Sequence, residues 1–542
     1  MKKLLFLFMC ASLSIGASAQ LKKLNISSAQ ATSQQSGEDA SKAIDGNVNT
    51  LWHSQYQGTT FPVTFTASFT SKTHVDVMRY VPRTNGDNGN WLKVEVAYSE
   101  SKTMNKWETV GTYNLSGSGS YDFQLGEAGL DVARVRFRIL EGKGGWASAA
   151  EVEAYVEDNT KRDAFAAYFE DDLFTVLKPE VTSSEGIEDE DVKALVDNLL
   201  ADAEGYKKFR VGEYEPYRHY SSLQSELKTS APYNQWENPT GIYVKPGDSF
   251  YVMVSGIASD MVGLKVKNWV QNENGSTYGL RNGLNKITAT TEGNVFVDYY
   301  TDNYKNAPNV KVHFINSTVR GYWDQATMTN KDWKEMLAKL PKDNSIIIVR
   351  SEHAQLAYPV SAWKEHCPEN VDSLMTLYQQ VQWAERDILG LNKYGRQTKN
   401  RQLYFATTYG FMAATGVGAY CNVNSLGAIM CPDSKRFDFW GVGHEWGHNN
   451  QIDGFHWSGC GETTNNIYAS WAQLHFTGNR HSLRLEDEWS GVDEYSGMRG
   501  GRMQTYFEEA VRKGVQWQLQ DGPDYHGATP DKKTVDGIDA DG

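Results

Sequence analysis

Two histidines four residues apart frame the stretch of this chain that is best suited to chemistry. His444 and His448 enclose Glu445 in the pattern H-E-x-x-H, and a further carboxylate follows at Glu462. On a helix, residues four apart lie on one face, so both imidazoles could reach one metal ion. Two histidines and one glutamate leave a fourth zinc position open, as a catalytic site requires. The pattern therefore predicts a catalytic zinc site, with Glu445 as the base that activates a water.

The same stretch has a second interpretation, an ordinary helix that carries two histidines and a solvated glutamate. Gly441, Gly443 and Gly447 argue against an ordinary helix, because each costs about 1 kcal/mol relative to alanine. Glycine is favoured where a helix passes close to a neighbouring backbone. For Glu462, the alternative to metal binding is a carboxylate that the dipole of a helix N-terminus favours.

A second helix, predicted from Glu462 to Phe476, follows a glycine-rich turn. Asn466 lies four residues after Glu462 on the same face, and it could orient a ligand imidazole through its side-chain amide. A plain helix-face amide is the alternative for Asn466. Tyr468 and His456 are candidates for the group that stabilises the oxyanion of a hydrolysis reaction, and a structural role is the alternative for each.

The whole chain has 542 residues, which suggests about three or four domains. Its net charge of −14 makes nucleic-acid binding unfavourable. Aromatic residues make up 12% of the chain, which suits carbohydrate contact and equally suits the cores of β-sandwiches. After the N-terminal segment, no stretch reaches the length of about 18 apolar residues that a transmembrane helix needs, so we expect no such helix.

The N-terminus has the pattern of a signal peptide, predicted over residues 1–19 with cleavage after Ala19. A basic start precedes an apolar run, and Ala17-Ser18-Ala19 is a small-x-small cleavage site. We therefore expect a secreted, periplasmic or cell-surface protein. Cys10 leaves a lipid-anchored form as an alternative, although it lies inside the apolar run and follows Met9.

Four cysteines remain after cleavage, and all lie in the C-terminal half of the chain: Cys367, Cys421, Cys431 and Cys460. Export permits disulfide bonds. Cys421 and Cys431 could close a hairpin, but the sequence leaves the pairing among the four open. None of the four has the spacing of a metal site.

Residues 22–157 are rich in predicted strands. Apolar and polar residues alternate along several runs, as they do in strands that are buried on one face. These runs are Val63 to Phe69, Val75 to Val81, Leu92 to Tyr98 and Ala133 to Leu140. Glycine and asparagine fill the gaps between them, so we predict a β-sandwich.

This segment also resembles the coagulation-factor-five/eight type C family, called discoidin-like, which includes galactose-binding-like carbohydrate modules. Three stretches carry the resemblance: Ala43 to Asn47 with Thr50, Trp52, His53 and Ser54; Tyr80 to Arg83 with Asn88 and Gly89; and Trp146 with Ala150 to Tyr155. The resemblance implies a galactose-binding-like fold and galactose-type glycans as binding partners.

In that family the Asp-Gly loop and the glutamate of the final strand commonly hold a structural calcium ion. The resemblance implies four candidate calcium ligands: Asp45, Asn47, Thr50 and Glu151. Hard oxygen ligands of this kind suit calcium, and a simple turn is the alternative for the Asp-Gly pair. Sugar contacts in such modules come from variable loops. Four residues are glycan-binding candidates, with a packing role as the alternative for each: Arg83, Asn85, Trp91 and Trp146.

Beyond the sandwich, the character of the sequence changes three times. Residues 158–228 are charged and predicted to be a helical connector, and residues 229–316 return to strands that predict a second β-sandwich-like subdomain. Residues 317–520 mix helices with buried strands and contain the H-E-x-x-H motif, so we predict an α+β catalytic domain of the zincin type. The acidic, glycine-rich residues 521–542 are predicted to be disordered, or else the natural chain continues past them.

The half from about 229 to 520 resembles the enhancin-like, mucin-degrading metallopeptidase family. The resemblance is carried by the stretches His444 to Asn449 and Gly461 to Tyr468, and by the preceding sandwich. It implies that His444, His448 and Glu462 bind zinc and that Glu445 is the catalytic base. One departure is that family members usually have a longer helical region after the motif, which affects the expected substrate cleft.

Together these features predict a multidomain, secreted zinc metallopeptidase that hydrolyses O-glycosylated, mucin-like glycoproteins and carries a carbohydrate-binding module for targeting. The substrate class is what the resemblance implies. The alternative is a non-catalytic glycan-binding adhesin whose metal-binding half has decayed. The intact motif argues against decay, because no chemistry would then require Glu445.

Overall fold

The computed structural model describes residues 21–477, except 116, 118, 127–128, 259, 270–274 and 457–460, together with Arg512. Two compact units divide the chain. The first unit takes in the described chain up to Tyr217, then Asn238–Asn268 and Asn274–Val319. The second unit takes in Arg218–Glu237, Trp269 and the described chain from Arg320 onward.

Several sequence predictions fall outside the described residues. These are the signal peptide at residues 1–19 with Cys10, the cysteine at position 460, and the tail at residues 521–542. They stay predictions.

Alternating apolar side chains build the N-terminal β-sandwich of the first unit. Its strands are β1 (Leu21–Leu24), β2 (Ser28–Ala31), β3 (Trp52–His53), β4 (Val63–Val75), β5 (Val77–Val81), β6 (Trp91–Ser99), β7 (Glu108–Asn114), β8 (Tyr121–Gln124), β9 (Leu130–Gly142), β10 (Ser148–Ala149) and β11 (Glu151–Glu157). Two antiparallel sheets, in the orders β2-β4-β9-β6-β7 and β1-β11-β5-β8, enclose one apolar core. Strands β3 and β10 form a separate short pair.

The pairing of β4 with β9 shows why the alternation gives a sandwich. Phe65 lies opposite Phe137, and both side chains are buried. Their neighbours Thr64 and Arg138 also lie opposite each other but point away from the core, since successive side chains of a strand face opposite sides. The structure confirms the predicted N-terminal β-sandwich.

Helices follow the first sandwich, as the composition of residues 158–228 predicts, but one strand interrupts them. The elements are α1 (Thr160–Ala166), α2 (Glu190–Lys207), β12 (Val211–Tyr214) and α3 (Tyr220–Leu227). Asp189 caps α2 by accepting hydrogen bonds from the amides of Asp191 and Val192. The apolar face of α2 packs with Met253, Leu284 and Ile315 in a separate core cluster.

A second β-sandwich completes the first unit. Its strands are β13 (Asn238–Val244), β14 (Ser249–Ser255), β15 (Gly263–Lys267), β16 (Thr277–Gly279), β17 (Gly283–Thr288), β18 (Gly293–Asp298) and β19 (Val310–Ile315). The two antiparallel sheets have the orders β12-β19-β14-β17 and β13-β18-β15-β16. Strand β12 lies inside the expected connector, yet it pairs with β19 and so belongs to this sandwich.

The second unit is built on a six-stranded mixed sheet. Its strands are β20 (Trp323–Asp324), β21 (Ile346–Arg350), β22 (Ala354–Pro359), β23 (Gln402–Thr407), β24 (Met412–Thr415) and β25 (Gly418–Asn422), in the order β20-β21-β22-β23-β25-β24. Strands β22, β23 and β25 run parallel, whereas β24 is an edge strand antiparallel to β25. The continuous apolar run of β21 is buried along Ile346–Val349, as in a strand covered on both faces.

Among the described residues from Arg320 onward, six helices accompany this sheet: α4 (Asn330–Lys339), α5 (Val360–His366), α6 (Val371–Ile388), α7 (Phe439–Asn450), α8 (Gly461–Thr464) and α9 (Asn466–Thr477). Helix α6 buries Val371, Leu374, Tyr378 and Val381, which its sequence periodicity predicts as one face. These side chains share one core cluster with the sheet and with Trp446 of α7.

Cys367, Cys421 and Cys431 are free thiols, so no disulfide bond joins any two of these three. Burial raises the pKa of both Cys367 and Cys421 to about 12, which keeps them as unreactive thiols at neutral pH. Among the described helices, we find none that combines the length and the apolar character needed to span a membrane.

Candidate metal centre

Helix α7 carries the H-E-x-x-H motif and begins with a side-chain cap. Asp438 accepts a hydrogen bond from the amide of Gly441 over 2.8 Å, which satisfies one of the free amides of the first turn. The motif's variable residue Trp446 is fully buried, and its indole nitrogen donates to the carbonyl of Leu403 in β23 over 3.2 Å. The helix is therefore fixed to the sheet on one side.

Two glycines bring α7 close to the backbone of α9. A Cβ atom at Gly443 would lie 3.1 Å from the Cα of Ala469, and one at Gly447 would lie 2.8 Å from the carbonyl oxygen of Asn465. Both distances are too short for a side chain at either position to fit without movement. The predicted close approach of two backbones is thus present, and it carries Glu462 and Asn466 towards the two histidines.

The three predicted zinc ligands converge. The Nε2 atoms of His444 and His448 lie 3.4 and 3.1 Å from one carboxylate oxygen of Glu462. The three potential ligand atoms lie within 4.8 Å of one another, and within the described part of the chain no other histidine, cysteine or acidic residues group in this way. Two imidazole nitrogens and one carboxylate oxygen form a donor set that suits zinc and leaves room for a fourth ligand.

The hydrogen bonds around His444 prepare it as a ligand. Its Nδ1 atom lies 2.6 Å from Oδ1 of Asn466, which is an acceptor, so Nδ1 carries the proton and Nε2 keeps its lone pair for a metal. The amide nitrogen of Asn466 donates to the carbonyl of Glu462 over 2.9 Å. Asn466 therefore connects a candidate ligand on α7 to the backbone of another on α8.

Asn465 is a second asparagine at the site that the sequence did not single out. Its side-chain nitrogen lies 2.8 Å from Nε2 of His448 and 3.3 Å from the carbonyl of His444, and the residue is fully buried. We expected one continuous helix from Glu462 to Phe476, but the chain breaks between α8 and α9 at Asn465. Because of this break, two consecutive asparagines can both face the histidine pair.

Gln451, at the C-terminal end of α7, holds the segment that carries Glu462. Its side-chain nitrogen donates to the carbonyl of Gly461 over 2.7 Å and to the hydroxyl of Thr464 over 2.9 Å. A signal for Gln451 existed in the sequence, since it lies three residues after His448 on the same helical face.

Burial controls the protonation of the motif. Glu445 is 7% exposed, and burial, with a smaller contribution from the charge of Glu462, raises the pKa of Glu445 to about 7. A carboxylate with this pKa can accept and return a proton near neutral pH. Burial also lowers the pKa of His448, although Glu462 opposes the shift, so the imidazole is held neutral as metal binding requires.

The two candidates for oxyanion stabilisation differ in their surroundings. Tyr468 is fully buried, and its hydroxyl donates to the carbonyl of Asn450 over 3.0 Å. That hydrogen bond gives Tyr468 a structural role instead of the catalytic one considered from the sequence. His456 is exposed in the turn after α7, where its amide donates to the carbonyl of Ile452.

The four candidate calcium ligands also lie together, at one end of the first sandwich. The amide of Asn47 donates to carboxylate oxygens of both Asp45 and Glu151 over 2.9 Å, and the hydroxyl of Thr50 donates to Asp45 over 2.8 Å. Glu151 is 2% exposed, and burial raises its pKa to about 7. A buried carboxylate beside a second one is an oxygen-rich setting that suits calcium.

The structure separates the four glycan-binding candidates. Trp91 is fully buried and stacks on Tyr80 at a centroid distance of 4.0 Å, so it belongs to the core and the prediction of a sugar contact for Trp91 is wrong. A tryptophan at the start of a strand has the same sequence signature whether it faces a core or a loop. Asn85 is exposed, and Arg83 and Trp146 are half-buried.

Arg83 and Trp146 lie beside one loop. The guanidinium of Arg83 donates to the carbonyl of Asn88 over 3.4 Å. A Cβ atom at Gly144 would lie 2.6 Å from Oδ1 of Asn88 and 2.9 Å from the ring of Trp146, so both residues lie beside that glycine. Both candidates thus border the same part of the sandwich surface.

Comparison with known proteins finds family matches for two separate segments of the chain. The family model described as peptidase M60, enhancin and enhancin-like matches residues 321–525, and the F5/8 type C domain model matches residues 28–152. Among solved structures, a metallopeptidase from Bacteroides thetaiotaomicron is similar with a TM-score of 0.53 and 23% sequence identity, over 63% of this chain and 60% of that one. At this identity the likeness shows a shared fold.

Curated relatives match over a smaller part of the chain. A galactose oxidase from Gibberella zeae is 30% identical over 131 residues, which is 23% of this chain and 19% of the relative. An A type blood N-acetyl-alpha-D-galactosamine deacetylase from Flavonifractor plautii is 31% identical over 123 residues, 21% of this chain and 15% of the relative. The chain therefore spans less than a fifth of the length of either relative.

The family matches and the convergence of the three ligands agree on the nature of the site. The H-E-x-x-H helix, the partner carboxylate and the asparagines around them all lie inside the residues that match the peptidase family. Residues 28–152 of this chain are therefore similar to F5/8 type C domains, and residues 321–525, which carry the candidate site, are similar to the peptidase M60, enhancin and enhancin-like family.

Proposed function

We propose that this chain is a secreted, zinc-dependent endopeptidase that hydrolyses peptide bonds in O-glycosylated, mucin-like glycoproteins. One observation carries the proposal: His444, His448 and Glu462 present three ligand atoms within 4.8 Å of one another, next to the buried carboxylate of Glu445. This arrangement would place a metal next to a base, which peptide hydrolysis needs. The match to a peptidase family supports it.

The residues of the site have separate tasks. His444 and His448 would hold zinc through Nε2, and Glu462 would hold it through a carboxylate oxygen. When bound, zinc supplies a Lewis acid that polarises a carbonyl and acidifies a water. Asn466 keeps the proton of His444 on Nδ1, which fixes both the tautomer and the direction of the ring.

Glu445 acts as the general base and then as the general acid. Its carboxylate takes the proton of the attacking water and passes it to the nitrogen of the leaving amine. A pKa of about 7, caused by burial, matches both halves of this task near neutral pH. The carboxylate would be a weaker base at the lower pKa of an exposed glutamate.

Strand β24 gives an extended peptide a surface on which to bind. It is the edge of the six-stranded sheet, so one side of its backbone has no partner strand among the described residues. The strand also runs along α7, since Met412 lies beside Gly441 and the carbonyl of Thr415 accepts a hydrogen bond from Asn449 over 2.9 Å. An added strand is a common way to bind an extended chain.

Exposed aromatic residues precede this edge strand. Phe411 is 66% exposed and Tyr409 is 41% exposed. Asn422 holds the turn between them, because its amide donates to the carbonyl of Phe411 over 2.7 Å and its side chain donates to the carbonyl of Gly410 over 2.9 Å. Flat apolar rings on a fixed turn suit contact with substrate side chains or sugar rings.

The F5/8 type C domain supports the choice of a glycosylated substrate. The two curated relatives named above are a galactose oxidase and an N-acetylgalactosamine deacetylase, so both names refer to galactose-type sugars. A sugar-binding domain on the same chain as a peptidase would raise the effective concentration of a glycoprotein at the metal site. We propose that Arg83, Asn85 and Trp146 contact the sugar and that Asp45, Asn47, Thr50 and Glu151 hold a structural calcium ion.

Digestion of one mucin, with and without prior removal of its glycans, tests the proposal. The full chain is loaded with zinc, and cleavage sites are mapped by mass spectrometry. We expect cleavage of the glycosylated mucin and far slower cleavage of the stripped protein. Equal cleavage of both would contradict glycan-dependent recognition. Cleavage of neither at full zinc occupancy would favour a non-catalytic glycan-binding adhesin.

A further inference from the structure

A cleft of about 690 Å³ lies between the two sandwiches of the first unit. Its volume is within the range of about 300 to 1,000 Å³ that is typical of small-molecule sites. Six residues that line it are important for what it can bind: Arg79, Tyr113, Tyr121, Asp122, Glu157 and Arg281. It is separate from the surface bordered by Arg83 and Trp146, neither of which lines it.

Arg281 is the residue in this cleft whose bonding is incomplete. It is 3% exposed, and its Nε atom lies 3.0 Å from a carboxylate oxygen of Glu157. Within the described part of the chain, all three guanidinium nitrogens, Nε and the terminal Nη1 and Nη2, have no hydrogen-bond partner. Buried donors without acceptors are destabilising. The terminal nitrogens are therefore available to donate to acceptors of a molecule in the cleft.

The loop that carries Arg281 is fixed on both sides. Asn282 exchanges two hydrogen bonds with Gln124 of the first sandwich, both 3.0 Å long. It exchanges two more with the backbone of Ile257, over 2.8 and 2.9 Å. The amide of Arg281 itself donates to the side chain of Asn285 over 3.2 Å. A donor held this firmly loses little further freedom when it binds a ligand.

The charged residues of the cleft indicate the class of ligand, because cations and anions there nearly cancel. Arg79 pairs with Asp122 over 2.6 Å, as Arg281 pairs with Glu157. The other charged lining residues add one cation and two anions: Arg162, Asp172 and Asp260. The excess of one negative charge disfavours an anion, while the unpaired terminal nitrogens disfavour a cation. The class of ligand that fits the cleft is therefore a neutral molecule rich in hydrogen-bond acceptors.

The walls of the cleft also offer apolar surface. Tyr113 and Tyr121 both line it, each with 8% of its surface exposed, and their rings lie 5.9 Å apart in an edge-on arrangement. Aromatic faces next to polar groups suit ligands that have both apolar ring faces and hydroxyl or amide oxygens. Neutral sugars combine these two properties.

We propose that this cleft binds a neutral saccharide unit, whose hydroxyl or acetamido oxygens accept hydrogen bonds from Nη1 and Nη2 of Arg281. The choice of a sugar rests on the proposed function, since a glycoprotein substrate would supply it. The cleft would then be a second sugar site beside the loop site of the F5/8 type C domain. It would hold the glycan between the two sandwiches and add a second attachment point for the same substrate.

The test uses the full chain with the loop site removed by the double substitution Arg83→Gln and Trp146→Ala. Binding of N-acetylgalactosamine is followed by ligand-observed NMR, with glucuronate as the anionic probe. We expect this background to retain sugar binding, and the added change Arg281→Gln to weaken it at least tenfold. Arg281→Lys, which keeps the charge but not the fork of donors, should give an intermediate loss. Melting temperatures show that each variant is folded.

Three results would overturn the proposal. The first is no sugar binding by the folded background variant. The second is binding that survives Arg281→Gln unchanged, and the third is tighter binding of glucuronate than of the neutral sugar. None of these readouts depends on peptide hydrolysis. Failure of the peptidase proposal would appear in the mucin cleavage assay, and failure of the cleft proposal would appear in the sugar-binding assay. The two failures are therefore distinguishable.

Discussion

The Nδ1 atom of His444 lies 2.6 Å from the side-chain oxygen of Asn466, across the contact between α7 and the start of α9. This hydrogen bond sets the tautomer of His444, a candidate zinc ligand. Asn466 itself is not one of the three candidate ligands. Asn466 also donates to the backbone carbonyl of Glu462. One asparagine thus orients two of the three candidate ligands.

We therefore predict that Asn466→Ala lowers zinc affinity by about 10- to 100-fold without unfolding the protein, because the ligands remain but lose their orientation. Competition with a chromogenic chelator measures the affinity. Asn198→Ala, which removes an exposed amide on α2, is the matched control and should leave it unchanged. An Asn466→Ala protein that binds zinc as tightly as the wild type would show that the hydrogen bond is not needed.

The packing of α7 on α9 predicts an unusual effect of alanine in a helix. Alanine normally stabilises a helix by about 1 kcal/mol relative to glycine. At Gly447, however, the added Cβ would lie 2.8 Å from the carbonyl oxygen of Asn465, so we expect Gly447→Ala to destabilise the second unit by about 1–3 kcal/mol. Gly416→Ala is the control, since no atom lies within 4 Å of its Cβ position. Thermal unfolding measures the effect. If Gly447→Ala melts at or above the temperature of the wild type, the backbones at Gly447 and Asn465 do not approach as closely as described.

Calcium is expected to raise the melting temperature of the first unit. Any ligand that binds only the folded state stabilises it by mass action. Asp45→Ala should abolish the rise, because this carboxylate and Glu151 together supply most of the negative charge at the site. Differential scanning calorimetry of the full chain, after chelation and with calcium added back, measures the shift. The same shift in wild type and Asp45→Ala would exclude this site.

His313 makes the first unit sensitive to acid. Burial lowers the pKa of His313 to about 4, and its Nδ1 atom donates to the carbonyl of Leu173 over 2.7 Å. Between pH 6.5 and about 4 the unfolded chain binds more protons at this residue than the folded one, so the free energy of unfolding falls as pH falls. From pH 6.5 to 5 we expect a loss of about 1.6 kcal/mol from this residue.

Urea unfolding of the first unit at pH 6.5 and pH 5 tests this expectation. His313→Gln should show a smaller loss between the two pH values than the wild type. His74→Gln serves as the control, because nearby Asp131 raises the pKa of the half-exposed His74 and its removal cannot reduce an acid-induced loss. An unchanged pH dependence in His313→Gln would mean that this histidine is already charged in the folded protein, or that another group offsets its effect on the free energy of unfolding.

Periodicity alone predicted much of the architecture. Alternation along strands such as β4 and β9 identified the first sandwich, because only one face of each strand meets the core. The spacing of His444 and His448 likewise placed both on one helical face. The sequence did not predict where a helix is interrupted, or whether a particular side chain faces the core or the surface.

Two residues show why. Asn465 faces the histidines only because the helix breaks there, and the sequence of that segment favours helix on both sides of the break. Trp91 begins a strand and could have faced either a loop or the core, and only the packing against Tyr80 decides between them. Both outcomes depend on contacts between residues far apart in sequence, which local patterns do not contain.

The most direct test of the central claim is the single substitution Glu445→Gln. Zinc content is measured by elemental analysis, and cleavage of a glycosylated mucin is measured by mass spectrometry on the same preparation. We predict that about one zinc per chain is retained, because His444, His448 and Glu462 are untouched, while the cleavage rate falls by about 10²- to 10⁴-fold, the usual contribution of a general base. A fully zinc-loaded Glu445→Gln protein that cleaves mucin at a rate near wild type would contradict the account.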